Sequence, residues 1–221
     1  MSRSFAIGDI HGCSNTFRHL LLDKIQLRKS DKIYCIGDYI DRGPDSKGVI
    51  DFIIDLRKKG YHIHTLRGNH EQMMIDSVYS DTKFNHWLRN GGESTLNSFG
   101  IRSYNELNPL YKQFFARTKY YIKSGNNVFV HAGLNFQISD PFTDKVAMLW
   151  IRDFRFDSEK LGQKAVIHGH TPKSLNDILM NSDSNTINID GGCVYKHIPE
   201  LGNLIALNVI QRKYVTVRNI D

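Results

Sequence analysis

The sequence predicts an α/β (α+β) protein built as a central two-sheet β-sandwich flanked by helices. Two observations predict it. From Ser4 to Leu66, short apolar runs alternate with helical segments, and each run ends in a polar loop. Beyond about Thr118 the character changes to closely spaced strands.

Ser4-Phe5-Ala6-Ile7 reads as a buried strand, and Gly8-Asp9-Ile10-His11-Gly12 follows it as a loop. Ser14 or Asn15 is then placed to cap a helix that buries Phe17, Leu20, Leu21 and Ile25. A second strand over Lys32 to Ile36 delivers Gly37-Asp38. Pro44 and Asp45 open a second helix with Val49, Ile50, Ile53, Ile54 and Leu56 inside, and Gly60 stops it. A third strand, Tyr61 to Leu66, ends in Arg67-Gly68-Asn69-His70-Glu71. Strands alternating with helices in this way make a parallel sheet, whose functional loops gather at the carboxyl ends of the strands.

From Gln72 to about Thr118 the pattern is helical, most clearly over Pro109 to Arg117. Tyr120 to Lys123 and Val128 to Val130, joined through Gly125-Asn126-Asn127, read as a hairpin ending in His131-Ala132-Gly133. Ala165-Val166-Ile167 is a further strand before His168-Gly169-His170-Thr171. The tail carries strands near Thr186–Ile189, Leu204–Val209 and Tyr214–Val217. No repeat, low-complexity stretch or linker interrupts the chain, so residues 1–221 read as one domain.

Composition narrows the function. Net charge is +6, which points to an anionic partner. No basic run is interleaved with aromatics, so nucleic acid is not an expected partner. Apolar runs are short and broken by charge, so no membrane span is expected, and Met1-Ser2-Arg3-Ser4 leads into the first strand without a leader pattern. Cys13, Cys35 and Cys193 are odd in number and far apart. They form neither a disulfide framework nor a CxxC zinc site, and a reducing cytoplasm is the expected compartment.

The loops at the strand ends hold Asp9, His11, Asp38, Asn69, His131 and His170. Carboxylate, imidazole and amide oxygen without thiolate suit Mn²⁺, Fe²⁺ or Zn²⁺. Six such ligands are many for one ion and about right for two ions sharing a bridge. A lone Asp after a strand ordinarily serves a turn. Five polar loops in order, each after a strand, are a different matter.

Gly8-Asp9-Ile10-His11-Gly12, Gly37-Asp38-Tyr39-Ile40-Asp41-Arg42-Gly43 and Gly68-Asn69-His70-Glu71 resemble the signature motifs of the phosphoprotein phosphatase (PPP) family of calcineurin-like metallophosphoesterases. His131-Ala132-Gly133 and Gly169-His170-Thr171 resemble its later histidine motifs. Glu71 to Asp76 and Asn85 to Gly92 look closest to the compact bacterial and bacteriophage branch. The resemblance implies one metal on Asp9, His11 and Asp38, and a second on Asp38, Asn69, His131 and His170, with Mn²⁺ the expected ion. It implies a serine/threonine protein phosphatase, possible on phosphotyrosine too, that works by direct attack of metal-bound hydroxide. A phosphorylated protein or peptide is then the expected substrate. Asp190-Gly191-Gly192-Cys193 stands where eukaryotic members carry a different stretch, so their regulatory subunits are not expected.

Arg42 can grip two phosphate oxygens with its planar fork, beside Asn69. Trp150-Ile151-Arg152 resembles the place of a second arginine, which nominates Arg152, with Arg155 as the alternative. His70 adjoins Asn69 and can protonate a leaving alkoxide, and Asp41 can accept its other N–H. His168 and Glu71 read as supporting residues rather than ligands. Two rivals stand. Symmetrical dinucleoside tetraphosphate hydrolases share this fold but typically lack the Asp41 equivalent and carry Asp where this chain has Glu71. A non-catalytic phosphate- or metal-sensing module would have lost His70, Arg42 or a ligand, and all are present.

Overall fold

The computed structural model describes residues 2–181 and 184–221. Two sheets form its centre. The first has the order β3-β2-β1-β8-β9, from β1 (Ser4–Ile7), β2 (Lys32–Cys35), β3 (His62–Thr65), β8 (Asn203–Asn208) and β9 (Lys213–Arg218). The second has the order β4-β5-β6-β7, from β4 (Tyr121–Ser124), β5 (Asn127–Val130), β6 (Ala165–His168) and β7 (Thr186–Asn188). As the alternation of strands and helices predicts, β1, β2 and β3 run parallel, with Ile7 beside Cys35 and Cys35 beside Thr65. The predicted hairpin is present, with Ser124 paired to Asn127. Of the tail strands, β7 joins the second sheet in parallel, while β8 and β9 complete the first antiparallel to their neighbours.

Alternation along each strand sorts side chains to two faces. Phe5, Ile7, Ile33 and Cys35 face the helices α1 (Ser14–His19) and α2 (Ser46–Lys58) and the helical segment that follows β3. Ala6, Tyr34 and Ile36 face the other way and meet Phe129, Ile167 and Ile187 of the second sheet. Val128, Val130 and Val166 on the outer face of that sheet are covered by Leu134, Met148 and Leu161. The helical segment comprises α3 (Asn69–Asp76), α4 (Asp81–Trp87), α5 (Glu93–Phe99) and α6 (Pro109–Ala116). Later come α7 (Lys145–Trp150), α8 (Ser158–Leu161) and α9 (Leu175–Met180).

Two local expectations change. Neither Ser14 nor Asn15 caps α1, because Ser14 is already helical and Cys13 stands at the cap position without a side-chain bond to the helix's first N–H groups. The Asp221 carboxylate does the work instead, accepting from the N–H groups of Asn15 and Thr16 at 2.9 Å each. Phe52, unremarked in the sequence, is buried on α2, while Ile54 is only half-buried. Asp45 caps α2 as expected, accepting from Gly48 N–H at 2.8 Å.

Candidate active site

The carboxyl ends of five strands meet at one place. β1, β2 and β3 of the first sheet deliver Asp9, His11, Asp38, Asn69 and His70, and β5 and β6 of the second deliver His131 and His170. All seven are buried to 9% exposure or less. The chain reaches them through strained backbone. Of eight non-glycine residues with left-handed φ among the described residues, five are His11, Asp38, Asp41, Arg42 and His170. Such conformations persist where surrounding contacts over-determine them, and they concentrate at functional sites. Gly37, with φ 115°, leaves room where a Cβ would lie 2.9 Å from His131 Nδ1 and 2.6 Å from Gly68 N.

Hydrogen bonds set the tautomer of two histidines. His11 Nδ1–H donates to the Ile40 carbonyl at 2.9 Å, and His131 Nδ1–H donates to that of Ile36 at 3.1 Å. Each Nε2 is therefore a bare lone pair turned inward. Asp38 Oδ2 lies 3.5 Å from both of those nitrogens, while its Oδ1 accepts the His70 backbone N–H at 3.1 Å. Asn69 Oδ1 stands 2.9 Å from His131 Nε2. Neither atom of that last pair has a proton for the other. Lone pairs facing each other at such distances repel unless a cation lies among them. Two further buried atoms, Asp9 Oδ1 and His170 Nε2, have no hydrogen-bond partner among the described residues. The donor set therefore fits divalent metal ions, and Asp38 Oδ2 faces candidate ligand atoms from both sheets. Ligand atoms of His11, Asp38 and His70 lie within 4.8 Å of one another, as do those of Asp38, His131 and His170.

The electrostatics agree. Burial drives the His11 and His131 imidazoles below their ordinary pKa, and His170 to about 3, so all three are neutral and able to ligate at neutral pH. Burial pushes the Asp38 carboxyl up, but the imidazoles packed around it, His131 first and then His70, His11 and His170, favour its ionised form and hold it below the usual range. Asp9 is raised by burial and then by the charges of Asp190 and Asp38. Such crowded acids favour a cation among them.

His70 Nδ1 donates to Asp41 Oδ2 at 2.7 Å, with both side chains buried, so the two residues named as an acid and its orienter are in contact. Arg42 Nη1 donates to His11 Nε2 at 2.8 Å, and the guanidinium lies 5.6 Å from the Tyr195 ring centre. Gly91, with φ 101°, accepts the Arg42 N–H at 3.2 Å. A Cβ there would meet Arg42 Cγ at 2.7 Å. Arg152 lies at the rim, near enough for its charge to act on His170. It is exposed just after α7 and lines a cavity of about 470 Å³ with His168, Thr171 and Lys173. Arg155 lines a different cavity, with Phe136 and Phe154.

Glu71 reaches back from the first turn of α3. Its carboxylate accepts the N–H groups of Asp38, Tyr39 and Gly68 at 2.8–2.9 Å, binding the Asp38 loop to the helix. Four residues near the site escaped the sequence reading. Trp87 and Thr95 bond Asp41, Asp190 lies against Asp9, and Tyr195 faces Arg42. Trp87 belongs to the Asn85–Gly92 stretch, which was legible as a motif, though its role was not. Thr95 carries no signal beyond being a hydroxyl.

Comparison with known proteins places this geometry. Over 81 residues the chain is 41% identical to the symmetrical bis(5'-nucleosyl)-tetraphosphatase of Buchnera aphidicola, covering 37% of this chain and 28% of that protein. Over 89 residues it is 36% identical to serine/threonine-protein phosphatase 1 of Salmonella typhimurium, covering 40% of this chain and 38% of that one. The chain thus matches well under half the length of these relatives. A serine/threonine phosphatase structure from Saccharomyces cerevisiae superposes on the whole chain and 81% of its own, with a TM-score of 0.67 at 14% identity, a likeness of fold alone. The description of calcineurin-like phosphoesterases fits residues 3–207. A metal-ready cluster at the strand ends of two sheets is what such a protein needs, and this chain belongs to the calcineurin-like phosphoesterase family.

Proposed function

We propose that this metal-dependent phosphoesterase is a phosphomonoester hydrolase acting on phosphoserine and phosphothreonine in proteins or peptides, with phosphotyrosine as a further substrate. The observation that carries the reading is the buried contact between His70 and Asp41. A serine or threonine alkoxide is a poor leaving group and gains from a positioned acid. A nucleoside diphosphate leaves readily without one. A built acid at the reacting centre therefore favours the monoester.

In this reading Asp9, His11 and Asp38 hold one ion, and Asp38, Asn69, His131 and His170 hold the other, Mn²⁺ being our choice over Fe²⁺ or Zn²⁺. When bound, such ions supply Lewis acidity toward water and toward the phosphoryl oxygens. Arg42 holds the phosphate through its fork, with Asn69 beside it, once a phosphate rather than His11 Nε2 is its acceptor. We assign Arg152 as the second arginine for the phosphate, since its charge already acts on His170. His70, its Nδ1–H committed to Asp41, gives the proton on its Nε2 to the leaving oxygen. We place the protein in the cytoplasm, free of nucleic acid, membrane and eukaryotic-type regulatory subunits.

A second reading, symmetrical dinucleoside tetraphosphate hydrolysis, is favoured by the 41% identity to the Buchnera enzyme over 81 residues. The test is turnover of a phosphoserine peptide and of diadenosine tetraphosphate on one metal-stripped preparation refilled with Mn²⁺, with Asp38→Asn as control. Preference for the peptide supports our reading. Preference for the dinucleotide replaces it while keeping the site.

A further inference from the structure

The acid pair is held from behind by the helical segment. Asp41 is fully buried and sits at φ 71°, a conformation costly for a residue with a side chain. Three partners hold it, and they come from α2, α4 and α5. Thr95 Oγ1 donates to Asp41 Oδ1 at 2.6 Å, and the same oxygen accepts the Asp41 backbone N–H at 2.9 Å. Ser46 Oγ also accepts that N–H at 3.1 Å and lies 3.1 Å from Thr95 Oγ1. Since Thr95 has spent its one proton on Asp41, Ser46 is the donor in that pair. Trp87 Nε1–H completes the set, 2.9 Å from Asp41 Oδ2 and 3.1 Å from Oδ1.

The directions of these bonds decide what they do. Thr95 grips Asp41 at both backbone and carboxylate, fixing the turn and the side-chain torsion together. Trp87, which can only donate, forks across both oxygens and fixes the plane of the carboxylate. With that plane set, the remaining direction of Oδ2 points at His70 Nδ1. Trp87 and Thr95 are fully buried, so water does not substitute for either donor. Trp87 is wedged further by Gly92, where a Cβ would lie 2.6 Å from the indole.

We propose that Thr95 and Trp87 are positioning residues for the reaction, a clamp of two donors that orients Asp41 and through it the proton-bearing face of His70. The inference rests on the reading of His70 as the acid. It assigns a role in proton delivery to α4 and α5, which carry no metal ligand. Neither residue touches the substrate or a metal position.

The test compares Thr95→Val, Thr95→Ser, Trp87→Phe and His70→Ala on an alkyl phosphate and on a nitrophenyl phosphate. Manganese binding to each is measured by calorimetry, and the downfield imidazole N–H proton is followed by NMR. Thr95→Val and Trp87→Phe should lose about 10- to 100-fold in kcat on the alkyl phosphate, part of what a general acid contributes, and about 3-fold or less on the aryl phosphate. KM and manganese stoichiometry should hold, and the downfield resonance should broaden or vanish. Thr95→Ser, which keeps the hydroxyl, should restore both resonance and rate. If His70→Ala shows the leaving-group dependence and the clamp variants do not, the clamp is overturned while the acid stands. If His70→Ala itself loses equally on both substrates, the acid reading fails first. Should Trp87→Phe not fold, the nearly isosteric Thr95→Val and its serine counterpart decide alone.

Discussion

At the scale of single residues, the site is a set of expensive conformations held for geometry. Left-handed backbone at His11, Asp38, Asp41, Arg42 and His170 costs on the order of 1–3 kcal/mol each. Each of these turns re-aims a side chain that an ordinary loop would send elsewhere. His70 is different, since it enters through the regular first turn of α3 and owes its aim to Asp41. His70→Ala should therefore leave metal binding intact while slowing alkyl phosphates about 100-fold or more and aryl phosphates far less. Steady-state kinetics on the two substrate types, beside metal titration, decides this, and equal losses would count against the acid. Gly91→Ala probes the phosphate side. Its Cβ would press on Arg42 N and Cγ, at 2.9 and 2.7 Å, in a backbone conformation that disfavours alanine. KM for the phosphate ester, or Ki for inorganic phosphate, should rise about 10-fold, the scale of one hydrogen bond to a charged group. An unchanged Ki would mean that Arg42 does not need that wall.

At the scale of elements, what the sequence made legible was whatever local chemistry restricts. Metal-type ligands after strands stand out because few other roles demand Asp, His and Asn there. The alternation of strands with helices gave the parallel pairing of β1, β2 and β3. The helical segment from Gln72 to Thr118 was legible as helix but not as a support for the His70–Asp41 pair, because Thr95 lies 54 positions from Asp41 and Trp87 lies 46. A long-range donor leaves no local pattern. The cap of α1 was misread for the same reason, since Asp221 arrives from 206 positions away. Asp221→Ala should lower stability by about 1 kcal/mol, the usual worth of a helix cap, read from the urea midpoint. Arg3 ties the entry of β1 to the loop before β2 by bonding Asp31 at 2.6 and 3.1 Å and the carbonyls of Ile25 and Gln26 at 3.1 Å. Burial raises the Asp31 carboxyl, but the Arg3 hydrogen bonds, the Arg28 N–H and the Arg3 charge outweigh it and lower its pKa. A depressed acid stabilises the fold above its unfolded pKa, near 4, and loses that contribution as pH falls through the lower folded value. Arg3→Ala should thus cost about 1–3 kcal/mol at pH 7, and the gap from the parent should close below about pH 4. A gap independent of pH would assign the loss to packing.

At the scale of the molecule, the proposed ligand positions span two sheets that share no strand. Asp9, His11, Asp38 and Asn69 belong to the first sheet, and His131 and His170 to the second. Between the sheets lies an apolar layer of Ala6, Tyr34, Ile36, Phe129 and Ile167, which is non-directional and sets no fine register. Polar contacts cross the seam at specific points, among them His131 Nδ1–H to the Ile36 carbonyl, Tyr34 O–H to Ser124 Oγ at 2.9 Å and His170 N–H to Asp9 Oδ2 at 3.1 Å. Ions held by both halves would fasten the seam where the burden of like charge is greatest. Asp9, Glu71 and Asp190 are all buried acids raised by burial and by the charge of Asp38, Glu71 to about 8 and Asp190 to about 7. Loading with Mn²⁺ at 100 times its dissociation constant should add about 2.7 kcal/mol per site of equal affinity. For a chain of this size that raises Tm by roughly 5–10 °C per site. Calorimetry of stripped and refilled protein measures it, and Asp38→Asn sharpens it. Because Asp38 Oδ2 faces ligands of both sheets, its replacement should remove most of the gain, whereas His170→Ala should remove only part. Hydrogen exchange should then show protection gained in β1, β2, β5 and β6 together. Protection confined to the first sheet would mean that metal binds there without joining the halves.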